Sequence, residues 1–268
     1  LYYYLFKKII TQSEVKSIVI TADSHFIERS ILAACDNLSV NSYVIQHGFG
    51  DGFTHLNGQF LKNNSFFVFG DYFKEILVDK GYDNVHSVGP IVNDDLVNYF
   101  GIKPIENKVL LATSVLWEDK LTDIDSYLDT IKKVVQVLRK KGYNVCIKPH
   151  PRERNDYNDI FGNEVIVVKN DLYKHIVESN FVVTVTDSVA IEACMLRRKC
   201  ILVNLTIDPN SLSALSNTGC VNICTIDDFE DSITNLNLKL NEKHLNYLSI
   251  SDGKSYIRAK NIIKKNLK

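Results

Sequence analysis

No stretch of this 268-residue chain stays apolar for the ~18–20 residues that a membrane-spanning helix needs, so none is expected. An excess of either charge is also missing: 31 basic and 32 acidic side chains leave a net -1. That excludes the basic surplus of a dedicated nucleic-acid binder, while a local cationic pocket remains compatible with it. No Gly-x-Gly-x-x-Gly follows any apolar run and no Walker A sequence occurs, which disfavours dinucleotide and P-loop chemistry. No Gly-x-Ser-x-Gly elbow surrounds Ser188, which weakens a hydrolase reading. Internal repeats and low-complexity segments are lacking too. The first residue is Leu1, and the opening Tyr2-Tyr3-Tyr4-Leu5-Phe6-Lys7-Lys8 is neither a signal peptide nor a full domain start. The expectation is a chain cut from something longer.

What is present describes an ordinary globular protein: 45% apolar and 24% charged residues, with a mean hydropathy of -0.07. A soluble, cytoplasmic location is expected. The six cysteines (Cys35, Cys146, Cys194, Cys200, Cys220, Cys224) sit mostly inside apolar runs, as reduced core thiols do. Only Cys220 and Cys224 are close, and no second pair gives zinc-ligand spacing, so no metal site is expected. His25, His55, His86, His175 and His244 show no ligand spacing either and read as structural or surface residues.

Short β-rich apolar runs alternate with helical patterns along the chain. Strands are expected at 17–21, 42–45, 66–69, 86–88, 109–113, 144–148, 165–168, 181–185, 200–204 and 221–224. Several are apolar on consecutive residues, as strands covered on both faces are. Helices are expected at about 26–36, 72–80, 123–141, 172–179, 190–197, 227–236 and 256–266. Such alternation predicts an α/β fold with parallel sheets and right-handed crossovers. Gly89-Pro90, Gly101 and Pro104 break the pattern near 93–107. The division gives two Rossmann-like units with a cleft between them, an incomplete one over 1–100 and a second over 101–268. The tail from Tyr256 to Leu267 sets isoleucines among Lys and Arg and is expected to dock on the body, with peripheral membrane contact as the alternative.

In open parallel sheets, ligands bind beyond the carboxyl ends of the strands. Four polar clusters stand there. Gln46-His47-Gly48-Phe49-Gly50-Asp51-Gly52 follows one strand, and Ser114 follows another. Lys148-Pro149-His150-Pro151-Arg152 presents three cationic groups on a turn stiffened by proline, which suits a phosphate. Thr186-Asp187-Ser188 opens a helix bearing Glu192, where free N–H groups and the helix dipole favour an anion, and capping alone is the competing explanation. His47 and Asp51 compete for the role of general base, each weighed against a loop residue without chemistry.

Gln46-His47-Gly48, Lys148-Pro149-His150-Pro151 and Thr186-Asp187-Ser188 with Glu192 together resemble a broad group of bacterial glycosyltransferases of the GT-B architecture. The group includes capsular Kdo transferases, sialyl- and polysialyltransferases and CDP-glycerol glycerophosphotransferases. The segment from Phe67 to Lys74, followed by Val88-Gly89-Pro90, also looks like the end of their acceptor domain. The resemblance implies a cytidine-nucleotide donor, a CMP- or CDP-activated sugar, with no other cofactor and no metal. It implies a carbohydrate or lipid-linked glycan as acceptor and no nucleic-acid partner. By its pattern His150 and Pro151 hold the donor phosphate, with Lys148 and Arg152 beside them. Asp187 and Ser188 add contacts, Glu192 holds the ribose and Ser114 is a further donor-side contact. His47 maps onto the base of teichoic-acid polymerases, and Asp51 onto that of sialyltransferases. Gln46 stands where the former carry tryptophan, and Gly50 where the latter carry a second acid. Polyol-phosphate transfer from CDP-glycerol or CDP-ribitol is the alternative activity. A sugar-nucleotide 2-epimerase and a non-catalytic domain of a larger assembly protein follow it.

Overall fold

The structure is a computed structural model. It describes residues 1–21, 26–46, 48, 64–185, 187–205, 209–237 and 239–267, without the side chains of 187 and 209–212. Its elements run in chain order α1 (Tyr2–Gln12), β1 (Ser17–Ile20), α2 (Phe26–Asn37), β2 (Asn41–Ile45), β3 (Asn64–Val68), α3 (Asp71–Asp79) and β4 (Val85–Ser87). A 3-10 stretch at Ile91–Tyr99 follows. Then come β5 (Lys108–Ala112), α4 (Ile124–Lys140), β6 (Asn144–Lys148), α5 (Tyr157–Phe161), β7 (Ile166–Val167), α6 (Leu172–Glu178), β8 (Phe181–Thr184) and α7 (Asp187–Met195). The chain continues through β9 (Cys200–Val203), α8 (Pro209–Ser216), β10 (Val221–Cys224), α9 (Phe229–Thr234), α10 (Glu242–Leu248) and α11 (Ser255–Asn266).

Two units form. One comprises Leu1–Val97 with Asn246–Lys268, the other Asn98–Leu245. Every paired strand is parallel. In the second unit the sheet order is β10-β9-β8-β5-β6-β7. The chain starts in the middle at β5, winds outward through β6 and β7, then returns to β8 on the other side. That reversal between β5 and β8 is the topological switch point of a doubly wound sheet. All residues of β5, β8 and β9 are buried, because helices cover both faces. On one face α4 buries Tyr127, Ile131, Val134, Val135 and Leu138, spaced as one stripe of a helix, against Val109, Leu111, Val145 and Ile147. Its first turn is capped by Asp123, whose carboxylate accepts the Ser126 N–H at 2.8 Å, an arrangement worth about 1 kcal/mol. Arg139 and Lys140 close its last turn, favoured by the dipole.

In the first unit the sheet order is β1-β2-β3-β4. The tail expected to dock on the body does so here. Ala259, Ile262 and Ile263 of α11 pack with Tyr43, Phe67 and Val88 of the sheet side. Asp94 accepts the N–H groups of Ser255 and Tyr256 at 2.9 and 2.7 Å and so caps α11. Arg258 donates to the Val88 carbonyl at 2.7 Å and grips Asp252 with both terminal nitrogens at 2.9 and 2.8 Å. The division of the chain at residue 100 therefore needs one correction. Residues 246–268 belong with the first unit, because α11 carries the apolar face that covers its sheet.

Candidate functional site

The carboxyl ends of β6, β5 and β8 lie side by side, since β5 pairs with both neighbours: Ala112 stands opposite Lys148 on one side and Thr184 on the other. The residues beyond them are those that the sequence singles out. Ser114 follows β5, the turn carrying His150 follows β6, and Ser188 is the second residue of the helix after β8. One fold edge thus carries the backbone of Ser114, Lys148, His150, Pro151, Arg152, Asp187 and Ser188, with Glu192 further along α7.

The turn after β6 is built by its own hydrogen bonds. The Glu153 N–H donates to the His150 carbonyl at 2.9 Å, and the His150 N–H returns to the Glu153 carboxylate at 3.2 Å. The Arg152 N–H donates to His150 Nδ1 at 3.2 Å. Partial burial is the main effect lowering the His150 pKa, and Arg152 and Lys148 add to it against Glu153 and Asp119. A neutral imidazole that accepts at Nδ1 carries its proton on Nε2, so His150 is a neutral donor of fixed tautomer. Lys148 is half-buried, its pKa lowered by that burial, and its ammonium donates to the Pro149 carbonyl at 3.2 Å. Arg152 is committed elsewhere: its two terminal nitrogens meet the Asp119 carboxylate at 3.3 and 3.0 Å on the surface.

Beyond β8, Asp187 opens α7 and its side chain lies outside the described ones. Ser188 is half-buried. Glu192 follows one turn later on the same helix face. Burial pushes its carboxyl up to about 7, against a hydrogen bond from Tyr173 that lowers it. The shift favours the protonated form, which can donate as well as accept. The first-turn N–H groups of a helix have no intrahelical partner and form an anion site.

A cleft of about 400 Å³ opens beside this edge, lined by Lys148, His150, Pro151, Glu153, Tyr157 and Lys169 among others. Ser114 and Ser188 are not among its lining residues. Among the described residues, no group of three or more His, Cys, Asp or Glu is arranged to hold a metal ion, and no helix is long and apolar enough to cross a membrane.

His47 and Asp51 lie outside the described residues. Their neighbour Gln46 is fully buried at the end of β2, where its carbonyl accepts the Phe69 N–H at 2.9 Å and its amide donates to the Gly48 carbonyl at 2.9 Å. The glutamine standing in place of tryptophan thus ties the ends of β2 and β3 together.

Sequence reasoning passed over Glu153. Its carboxylate accepts from Thr113, Tyr127, Tyr157, Asn155 and the His150 N–H. The available signal was a carboxylate three residues after a histidine in a proline-stiffened turn.

Two Rossmann-like parallel-sheet units define the GT-B class, and solved structures agree. A UDP-GlcNAc 2-epimerase from Methanocaldococcus jannaschii, in complex with UDP-GlcNAc and UDP, is similar at 13% identity over 97% of this chain and 80% of that one, with a TM-score of 0.67. The glycotransferase of kitacinnamycin is similar at 12% identity over 99% and 80%, with a TM-score of 0.65. The wall teichoic acid polymerase TagF, with CDPG, gives 12% identity over 99% and 92%, with a TM-score of 0.56. Comparison with curated protein sequences gave no match. Residues 87–204 match the alpha-2,8-polysialyltransferase family model. That span begins in β4, ends just past β9 and contains every donor-side residue named above. The family match supports a glycosyltransferase, and the solved structures support the fold.

Proposed function

We propose that this protein transfers a sugar from a cytidine-nucleotide donor, CMP-linked in the first instance, to a growing surface polysaccharide or lipopolysaccharide. The observation that carries the reading is the neutral His150 donor after β6, on the same carboxyl edge as the start of α7 after β8, with β5 between them. In a glycosyl transfer, negative charge accumulates on the departing nucleotide phosphate. His150 Nε2–H, the Ser188 hydroxyl and the first-turn amides of α7 stabilise that charge as donors set before the reaction begins. Ser114 and Lys148 complete the phosphate surroundings, with Pro151 shaping the turn. Glu192 exchanges hydrogen bonds with the ribose hydroxyls. The acceptor hydroxyl loses its proton to His47 or Asp51 as it attacks the anomeric carbon, and one inverting displacement completes the step.

Mass-spectrometric analysis of products tests this reading, with CMP-activated sugars and CDP-glycerol offered in parallel to a glycan acceptor. Glycan extension from a CMP-sugar is expected, with His150→Ala slowed about 100-fold or more. Extension from CDP-glycerol alone would establish polyol-phosphate transfer instead, and conversion of a UDP-sugar without acceptor would point to epimerisation.

A further inference from the structure

Glu153 gathers five donors, and three of them, Thr113, Tyr127 and the His150 N–H, connect it to Ser114 and His150. Thr113 follows β5 immediately before Ser114, and its hydroxyl donates to Glu153. The Tyr127 hydroxyl accepts the Ser114 N–H at 2.9 Å and shares its one proton between the Ser114 carbonyl at 2.8 Å and Glu153 at 3.1 Å, so it holds the Ser114 backbone from both sides. Tyr157 from α5 and the Asn155 amide converge on the same oxygen as Tyr127. The other oxygen takes the His150 N–H at 3.2 Å. Burial, reinforced by the charge on Glu153, raises the pKa of both tyrosines, so each keeps its proton and stays a donor. Thr113 also binds the β6 end through its N–H, at 3.2 Å from the Lys148 carbonyl.

We infer that Glu153 is a positioning residue for the donor site: its carboxylate locks the loops after β5 and β6 into one frame, fixing where Ser114 and His150 meet a nucleotide phosphate. The inference rests on the functional reading above and goes beyond it, since that reading gives Glu153 no role. A glutamine here keeps the shape but turns one acceptor oxygen into a donor facing other donors, a mismatch that a buried network does not absorb.

The test compares the wild-type chain with Glu153→Gln, using CMP and CDP titrations by calorimetry and the side-chain nitrogen resonances of His150 by NMR. Glu153→Gln is expected to bind the nucleotide about tenfold more weakly, the loss of one charge-assisted hydrogen bond. The His150 resonances are expected to shift, and their titration midpoint to fall once the favourable charge is gone. Unchanged affinity would overturn the inference. So would weaker binding with unmoved His150 resonances, because that pattern marks a merely structural carboxylate. If Glu153→Gln does not fold, Tyr157→Phe removes a single donor and should give a smaller loss with the same resonance shift; no change in either overturns the inference. A wild-type chain that binds neither nucleotide sinks the functional reading, whereas binding that Glu153→Gln leaves intact sinks only the positioning role.

Discussion

At the scale of single residues, environment rather than identity decides what each site group can do. Glu192 is an ordinary carboxylic acid on a helix, yet burial lifts its pKa from 4.5 to about 7. A carboxyl with a folded-state pKa above its unfolded one stabilises the protein fully below the unfolded value. That contribution is lost as pH rises through the folded value. The stability of the wild type, followed by thermal melts, should therefore decline as pH climbs from 4.5 past 7, by an amount on the order of 3 kcal/mol from this group. Glu192→Gln should flatten that slope, and an identical slope in the variant would show that another group causes it. His150 and Ser188 could be located from their place after apolar runs, which needs only one-dimensional information. Glu153 could not: its partners come from positions 113, 127 and 157, and only the folded chain joins them.

At the scale of elements, the strands were legible because fully buried parallel strands must be continuously apolar. All ten expected runs form strands, within a few residues at each end. Helices were less so. α4 announces itself by its cap and its apolar stripe. α1, α5, α8 and α10 were not expected: α5 spans five residues, and α8 opens on Pro-Asn-Ser, which reads as a turn. α7 starts at Asp187, three residues earlier than the apolar pattern suggests, because polar residues at a helix start carry no periodicity. The Gly89-Pro90 break was read as a strand end, and its backbone explains why. Gly89 has φ +93°, and a Cβ there would lie 2.3 Å from Ser255 Oγ and 2.4 Å from the Ile250 carbonyl oxygen. Gly89→Ala meets both a left-handed backbone and a collision with the segment leading into α11. It should cost about 3 kcal/mol or more in urea unfolding, and a loss below about 1 kcal/mol would show that the segment yields freely. Opposite the site, at the amino end of β5, Lys108 meets Glu178 at 2.6 Å with both side chains largely buried, close to His175. That histidine, read as a structural or surface residue, sits beside this ion pair.

At the scale of the whole molecule, strand order matters more than any motif. The polar loops that follow the strands could be listed from the sequence, but nothing in it says which strands are neighbours. Only the order β10-β9-β8-β5-β6-β7 brings the turn after β6 and the helix after β8 to either side of Ser114. The same limit explains the tail: α11 is the last element in sequence, yet it covers the first sheet, a return that local pattern does not encode. The account depends on a nucleotide phosphate lying at that carboxyl edge. A crystal structure of the chain soaked with CMP tests this most directly. The phosphate is expected within hydrogen-bonding distance of His150 Nε2 and the first-turn amides of α7, with the ribose toward Glu192. A phosphate bound at the opposite, amino edge of the sheet, or an empty carboxyl edge at saturating CMP, would contradict it.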